Sequence, residues 1–306
     1  MNAAKSAEST PIGVIGLGAM GWGLATRIME VANLVAVHDQ SAEVASKAQE
    51  FSLPYVASVS EVAGKASVVI CMLPSPDIFV EVVTGVGGLA ETMRPGGVVI
   101  DMATDGPGPV TSVREALAAG GISVLDAAVG RGPREAASGD LIIMAGGEAE
   151  KVESLRWLYE LLGSEVHHCG PLGSGQAAKL VNNLVQCANA AILAEACALA
   201  RATGVSDDAI RGILPGTAAA SRQLESIVLT RLPARDFVPG FKVALAAKDV
   251  RLAVLAGESC GLTMPCSAEV LKLYERYIGD GFGGLDQAVI AAPPEIAAAA
   301  KEAPLA

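Results

Sequence analysis

The chain has 306 residues, 51% of them hydrophobic and 4% aromatic, with a net charge of −11. That length suits two domains, and the apolar content is enough for a core in each. An acidic, aromatic-poor chain is a poor match for nucleic acid or an anionic membrane, so an anionic substrate has to be attracted by local positive charge.

Residues 1–10 lack the apolar centre of a signal peptide and read as a disordered tail. No apolar run of membrane-spanning length is free of polar interruption. Ile12–Ile15 is an apolar run with the character of a buried strand, and it leads into Gly16-Leu17-Gly18-Ala19-Met20-Gly21. Each glycine has its own reason. Gly16 allows a sharp turn out of the strand, Gly18 lets a pyrophosphate meet bare backbone, and Gly21 lets the next helix lie close to the sheet. The N–H groups at the start of that helix, Ala19–Glu30, are suited to hold the pyrophosphate. Its periodicity puts Met20, Leu24, Ile28 and Val31 on one face. A second strand, Leu34–Val37, ends at Asp39, where a carboxylate meets an adenosine ribose. That carboxylate repels a 2′-phosphate, and Gln40 and Ser41 bring no positive charge to offset it. The expected cofactor is therefore NAD rather than NADP.

Further strands are expected at Val68–Met72, Val98–Asp101, Ser123–Asp126, Leu141–Ala145 and Glu165–His168. Helices are expected at Ala42–Phe51, Ser58–Ala63, Ile78–Val83, Val110–Ala119 and Glu150–Leu161. This alternation predicts an α/β domain with a doubly wound parallel sheet. Ligands of such sheets lie beyond the carboxyl ends of the strands, which directs attention to Leu73, Pro74, Thr104 and the loop after Asp126. The six cysteines are scattered and form no C-x-x-C pair, as expected of reduced thiols in a cytoplasmic protein. His167, His168 and Cys169 are adjacent on a strand and point to alternate faces, so no metal site is expected.

After Gly170-Pro171 the strand pattern stops. A domain boundary near residue 172 separates residues 11–172 from an all-helical domain, 173–292, followed by a low-complexity tail, 293–306. The helical domain opens with one long helix from Gln176 to Thr203, about 42 Å in length. It is apolar nearly all round, as for a helix buried among others. Lys179 and Asn183 are one turn apart and share a face, and Gln186 continues the row. A lysine among alanine, leucine and valine is costly unless it is paired or used. Shorter helices are expected at Ser206–Leu214, Ser221–Thr230, Lys242–Ala256, Ser267–Ile278 and Leu285–Ala291.

Six motifs occur in one order: G-L-G-A-M-G, M-L-P, D-M-A-T, L-D-A-A-V-G-R-G, G-S-G-Q-A-A-K-L-V-N-N and F-K-V-A-L-A-A-K-D. In that order and spacing the chain resembles the β-hydroxyacid dehydrogenase family, from about residue 11 to residue 290. The resemblance implies an N-terminal Rossmann domain, a C-terminal helical domain and a long helix joining them, with the active site in the cleft. It implies hydride transfer between NAD and a small 3-hydroxy acid or its aldehyde. Lys179 is then the catalytic acid/base, its pKa lowered toward working pH by burial and the positive nicotinamide. Asn183 holds substrate, Thr104 lies by the nicotinamide and borders both substrate and cofactor, Leu73 and Pro74 contact cofactor, and Lys248 lies by the cofactor or substrate. A homodimer or homotetramer is implied as well. One segment departs from the common D-A-P-V-S-G-G pattern. Gly130-Arg131-Gly132 loses the serine hydroxyl and gains a guanidinium suited to a carboxylate or sulfonate. V-G-R here resembles the sulfolactaldehyde reductases of the family, so a sulfonate substrate is the specific expectation, ahead of 3-hydroxyisobutyrate or tartronate semialdehyde. Imine reductases and non-catalytic relatives commonly lack the lysine, which counts against both.

Overall fold

The structure is a computed structural model that describes residues 9–302. The reading of residues 1–8 as a tail lies outside them. Two compact units divide the chain between Lys179 and Leu180. The division falls inside the long helix Ser174–Ala202.

In the first unit seven strands form one sheet: β1 (Ile12–Ile15), β2 (Leu34–His38), β3 (Val68–Cys71), β4 (Val98–Asp101), β5 (Ser123–Gly130), β6 (Leu141–Gly146) and β7 (Gly163–Gly170). Their order is β2-β1-β3-β4-β5-β6-β7. Strands β1 to β5 pair in parallel. Adjacent residues feed opposite faces, as the pleat requires. Val14, Ile70 and Ile100 enter one core with Leu24, Ile28 and Tyr159. Ile15, Val69 and Val99 enter the other, under Val62, Phe79 and Leu117. Burial on both faces is why these strands are continuous apolar runs.

The sheet is parallel-dominated, as expected of a doubly wound fold, and one pair in its second half is antiparallel. β6 runs antiparallel to β5, with Asp126 opposite Gly146 and Gly130 opposite Ile142. The Arg131–Asp140 connection holds only the short helix Pro133–Ser138. It is shorter than the roughly dozen residues a parallel crossover needs. β7 returns parallel to β6.

The second unit is helical. Cys187, Ala190, Leu193, Ala194 and Cys197 of the Ser174–Ala202 helix pack with Val243, Ala246, Val250 and Tyr274. By length and composition this helix is apolar enough to cross a membrane, but 44% of the relevant window is buried within the protein. The helix expected at Ser221–Thr230 is found at Leu224–Arg231, wound as a π-helix. Pro294–Glu302, read as part of a low-complexity tail, is a helix whose Ala297 is buried in the same core. Alanine is the strongest helix former and Pro294 stands in the first turn, so low complexity and helix are compatible.

Candidate active site

At the end of β1 the three glycines of the turn meet three different surroundings. Gly16 has φ 89°, and a Cβ there would collide with the Met72 carbonyl oxygen and lie 3.2 Å from Leu73 Cδ2. A Cβ on Gly21 would collide with the Gly16 carbonyl oxygen. Gly18 is different. Its φ of −58° is open to any residue, and a Cβ would meet nothing within 4 Å. Gly18 is also the N-cap of the Ala19–Val31 helix, which has no side-chain cap. Uncapped N–H groups beside bare backbone are the requirements of a pyrophosphate. β1 lies between β2 and β3, so the turn sits where the strand order reverses, the usual place for a ligand in such sheets.

Asp39 follows β2 and stands beside this turn. Its Oδ2 accepts the Leu17 N–H at 2.7 Å, and its Oδ1 accepts the Ser41 N–H at 2.9 Å. The Tyr55 hydroxyl donates to the Asp39 carbonyl at 3.1 Å. The carboxylate is thus held in place. Leu73 is half-buried against Gly16 and Pro74 is exposed, both just after β3. Thr104, half-buried, follows β4.

Lys179 is buried, 9% exposed, in the second turn of the Ser174–Ala202 helix. The start of that helix is bolted to β5. Asp126 Oδ1 accepts the Gly173 N–H at 2.7 Å, and Oδ2 accepts the Gln176 N–H at 2.8 Å. Burial pushes the Asp126 carboxyl up from its ordinary value, and these N–H groups pull it back. Gly175 has to be glycine for this approach, because a Cβ would collide with the Met144 carbonyl oxygen.

In the second unit Asn183 donates from Nδ2 to Asp249 Oδ2 at 2.6 Å and accepts from Asn182 Nδ2 at 2.9 Å. Lys248 Nζ lies 3.3 Å from Asp249 Oδ1. Asn183, Lys248 and Asp249 therefore come together. Asp126 and Asp249 carry no mark of their roles in the sequence. Each was visible only as the acidic member of a motif, L-D-A-A or A-K-D.

In the Gly130-Arg131-Gly132 turn the guanidinium lies at the surface among acidic partners. Arg131 bonds to Asp140, to Ser164 Oγ at 2.9 Å and to Glu165 Oε1 at 3.0 Å. Two carboxylates and a hydroxyl from β7 and the turn before β6 satisfy it at the surface. Its backbone has φ 75°, the left-handed region that favours glycine. Asp140 is held below the usual carboxylate range by the Ser164 hydroxyl first and by Arg131 second. Gly132 accompanies the start of the Pro133–Ser138 helix, which packs on Gly23 of the Ala19–Val31 helix. A Cβ on Gly23 would lie 2.9 Å from Ala136 Cβ.

Two family models and several known proteins match most of the chain. The family model for the NAD binding domain of 6-phosphogluconate dehydrogenase matches residues 11–170. The model for the NAD-binding domain of NADP-dependent 3-hydroxyisobutyrate dehydrogenase matches residues 173–293. The 2-(hydroxymethyl)glutarate dehydrogenase of Eubacterium barkeri is 29% identical, over 92% of this chain and 94% of its own. The 3-sulfolactaldehyde reductase of Escherichia coli is 30% identical, over 91% of this chain and 94% of its own. Among solved structures, Mycobacterium tuberculosis 3-hydroxyisobutyrate dehydrogenase with L-serine superposes with a TM-score of 0.85 at 28% identity, covering 92% of this chain and 98% of that one.

Proposed function

The chain belongs to the β-hydroxyacid dehydrogenase family, and on that premise we propose that Lys179 moves the proton at the oxygen of a small hydroxy acid or its aldehyde. It is an NAD(P)-dependent oxidoreductase acting on a CH–OH group. The bound dinucleotide donates or accepts the hydride. Gly18 and the Ala19–Val31 helix N-terminus would hold its pyrophosphate, Asp39 its ribose, and Leu73, Pro74 and Thr104 would border it. The transferred hydride leaves one proton to be handled, and a single positioned lysine is sufficient for it. The observation that carries this reading is the burial of Lys179 on a helix whose first turn is fixed by Asp126. Asn183 keeps a second Nδ2 hydrogen beyond the one given to Asp249, and that donor is suited to the substrate. Lys248, beside Asp249, is assigned to the cofactor.

NAD is the proposed physiological dinucleotide. Unit charges 4 Å apart repel by about 1 kcal/mol in water and about 4 kcal/mol near a protein surface. With Asp39 fixed beside the turn, kcat/KM for NADH should exceed that for NADPH by at least about tenfold. Measuring both cofactors under one substrate decides it, and a preference for NADPH removes Asp39 from its role.

Sulfolactaldehyde is the specific substrate proposed. An arginine in the left-handed region costs about 1–2 kcal/mol of backbone energy that glycine would not incur. An arginine at that backbone conformation supports a side-chain duty. The ion pairs that hold Arg131 are exposed, so exchanging them for a substrate anion costs little. Arg131→Gly removes the guanidinium and relaxes the backbone together. It should raise KM for a sulfonate substrate by about tenfold or more without lowering thermal stability. A panel of carboxylate, sulfonate and phosphate aldehydes, followed by nicotinamide absorbance, measures this. An unchanged KM would place the guanidinium away from the substrate. The exposed stripe Val181, Val185, Ile192 and Leu199 supports self-association as a dimer or tetramer, and the free thiols support the cytoplasm as the compartment.

A further inference from the structure

Gln176 stands in the first turn of the Ser174–Ala202 helix, three residues before Lys179, and its side chain is fully buried. Its Oε1 accepts the N–H groups of Asp105 at 3.0 Å and Gly106 at 3.1 Å. Its Nε2 donates to Asp101 Oδ2 at 2.8 Å and to the Ala103 carbonyl at 3.0 Å. Those four bonds use both lone pairs and both hydrogens of the amide. All four go to one loop, residues 101–106, which leaves the carboxyl end of β4 and carries Thr104. Asp101 Oδ1 closes the loop on itself by accepting the Ala103 N–H at 3.1 Å.

The chemistry of the partners explains why this residue is glutamine. Two backbone N–H groups need an acceptor, while a carboxylate and a carbonyl need donors. A primary amide of this length offers both. A glutamate offers only acceptors and sets a second carboxylate against Asp101, and a leucine offers neither. Residues three apart on a helix share a side, so the lock and Lys179 lie on neighbouring parts of one surface.

We propose that Gln176 is a positioning residue for the reaction: it locks the Thr104 loop to the turn of helix from which Lys179 projects, and so sets the ammonium against the substrate. The inference rests on Lys179 as the acid/base. Gln176 itself touches neither substrate nor cofactor in this scheme.

The experiment compares Gln176→Ala, Gln176→Glu and the double variant Gln176→Glu with Asp101→Asn, using Lys179→Ala as the reference. Displacements of about 1 Å at a catalytic group cost about 100-fold, so Gln176→Ala should lower kcat by about 10- to 100-fold. The NADH dissociation constant should stay within about threefold. Amide hydrogen exchange at Asp105 and Gly106 should rise at least about tenfold as the loop is released. Gln176→Glu should lose kcat as well. Adding Asp101→Asn restores a donor opposite the new carboxylate, and kcat should recover by at least about fivefold.

A role confined to stability predicts something else: a lower Tm, with kcat unchanged well below it and no recovery in the double variant. That result overturns the proposal. Should Gln176→Ala fail to fold, the glutamate variant and its rescue decide. If Lys179→Ala turns over as well as the unaltered enzyme, the acid/base reading fails, and exchange at Asp105 and Gly106 still decides the lock. If Lys179→Ala is inactive while Gln176→Ala is fully active, only the lock fails.

Discussion

Turnover by Lys179→Ala is expected to fall by about 100- to 10,000-fold, with NADH binding changed by less than about threefold. The two halves of that expectation come from different residues. The dinucleotide is assigned to Gly18, the adjoining helix N-terminus and Asp39, none of which the substitution alters. The proton is assigned to the ammonium alone. A second variant separates proton transfer from fixed charge. Lys179→Arg keeps a cation at the position, but a guanidinium, far less acidic than an ammonium, does not give up its proton near neutral pH. Its kcat should fall about as far as that of the alanine variant. Activity retained by arginine would make the lysine an electrostatic anchor rather than a proton carrier. More than about a tenth of normal turnover in the alanine variant would remove it from the chemistry altogether.

The strands of the first unit were legible because a parallel strand covered on both faces has to be an unbroken apolar run. Ile12–Ile15 and Val98–Asp101 are found where the pattern puts them. β5 runs on to Gly130 because β6 pairs with it as far as Ile142, and that pairing depends on the length of a connection, which apolar patterning does not record. The glycine turn and Asp39 were legible for a related reason: a turn, a helix start and an acidic strand end are all local signals. The lock at Gln176 and the bolt at Asp126 were not. Each joins residues far apart in sequence, so neither periodicity nor propensity marks it. Arg131 was legible as a cation by its type, but its resting partners were not: Ser164 and Glu165, which take up its guanidinium together with Asp140, lie more than thirty residues along the chain.

Gly18→Ala and Gly21→Ala should fail in opposite ways. At Gly21 a Cβ collides with the carbonyl oxygen of Gly16, so the helix has to move off the turn. Overpacking of this kind costs about 1–3 kcal/mol or more, and the Tm of the first unit should fall by roughly 5–10 °C. At Gly18 the new methyl group meets nothing within 4 Å, and the backbone angles suit alanine. Alanine is a poorer N-cap than glycine, but it also restricts the unfolded chain, and these opposing effects are each about 1 kcal/mol or less. The Tm should therefore stay within roughly 2 °C. What the methyl group does occupy is the space a pyrophosphate needs, so NADH affinity should fall by about 100-fold, or about 2.7 kcal/mol. Fluorescence titration with NADH and a thermal melt on both variants read the two effects separately. Undiminished affinity in Gly18→Ala would mean that the pyrophosphate does not rest on that backbone, and an unchanged Tm in Gly21→Ala would mean that the helix does not need to lie so close to the turn.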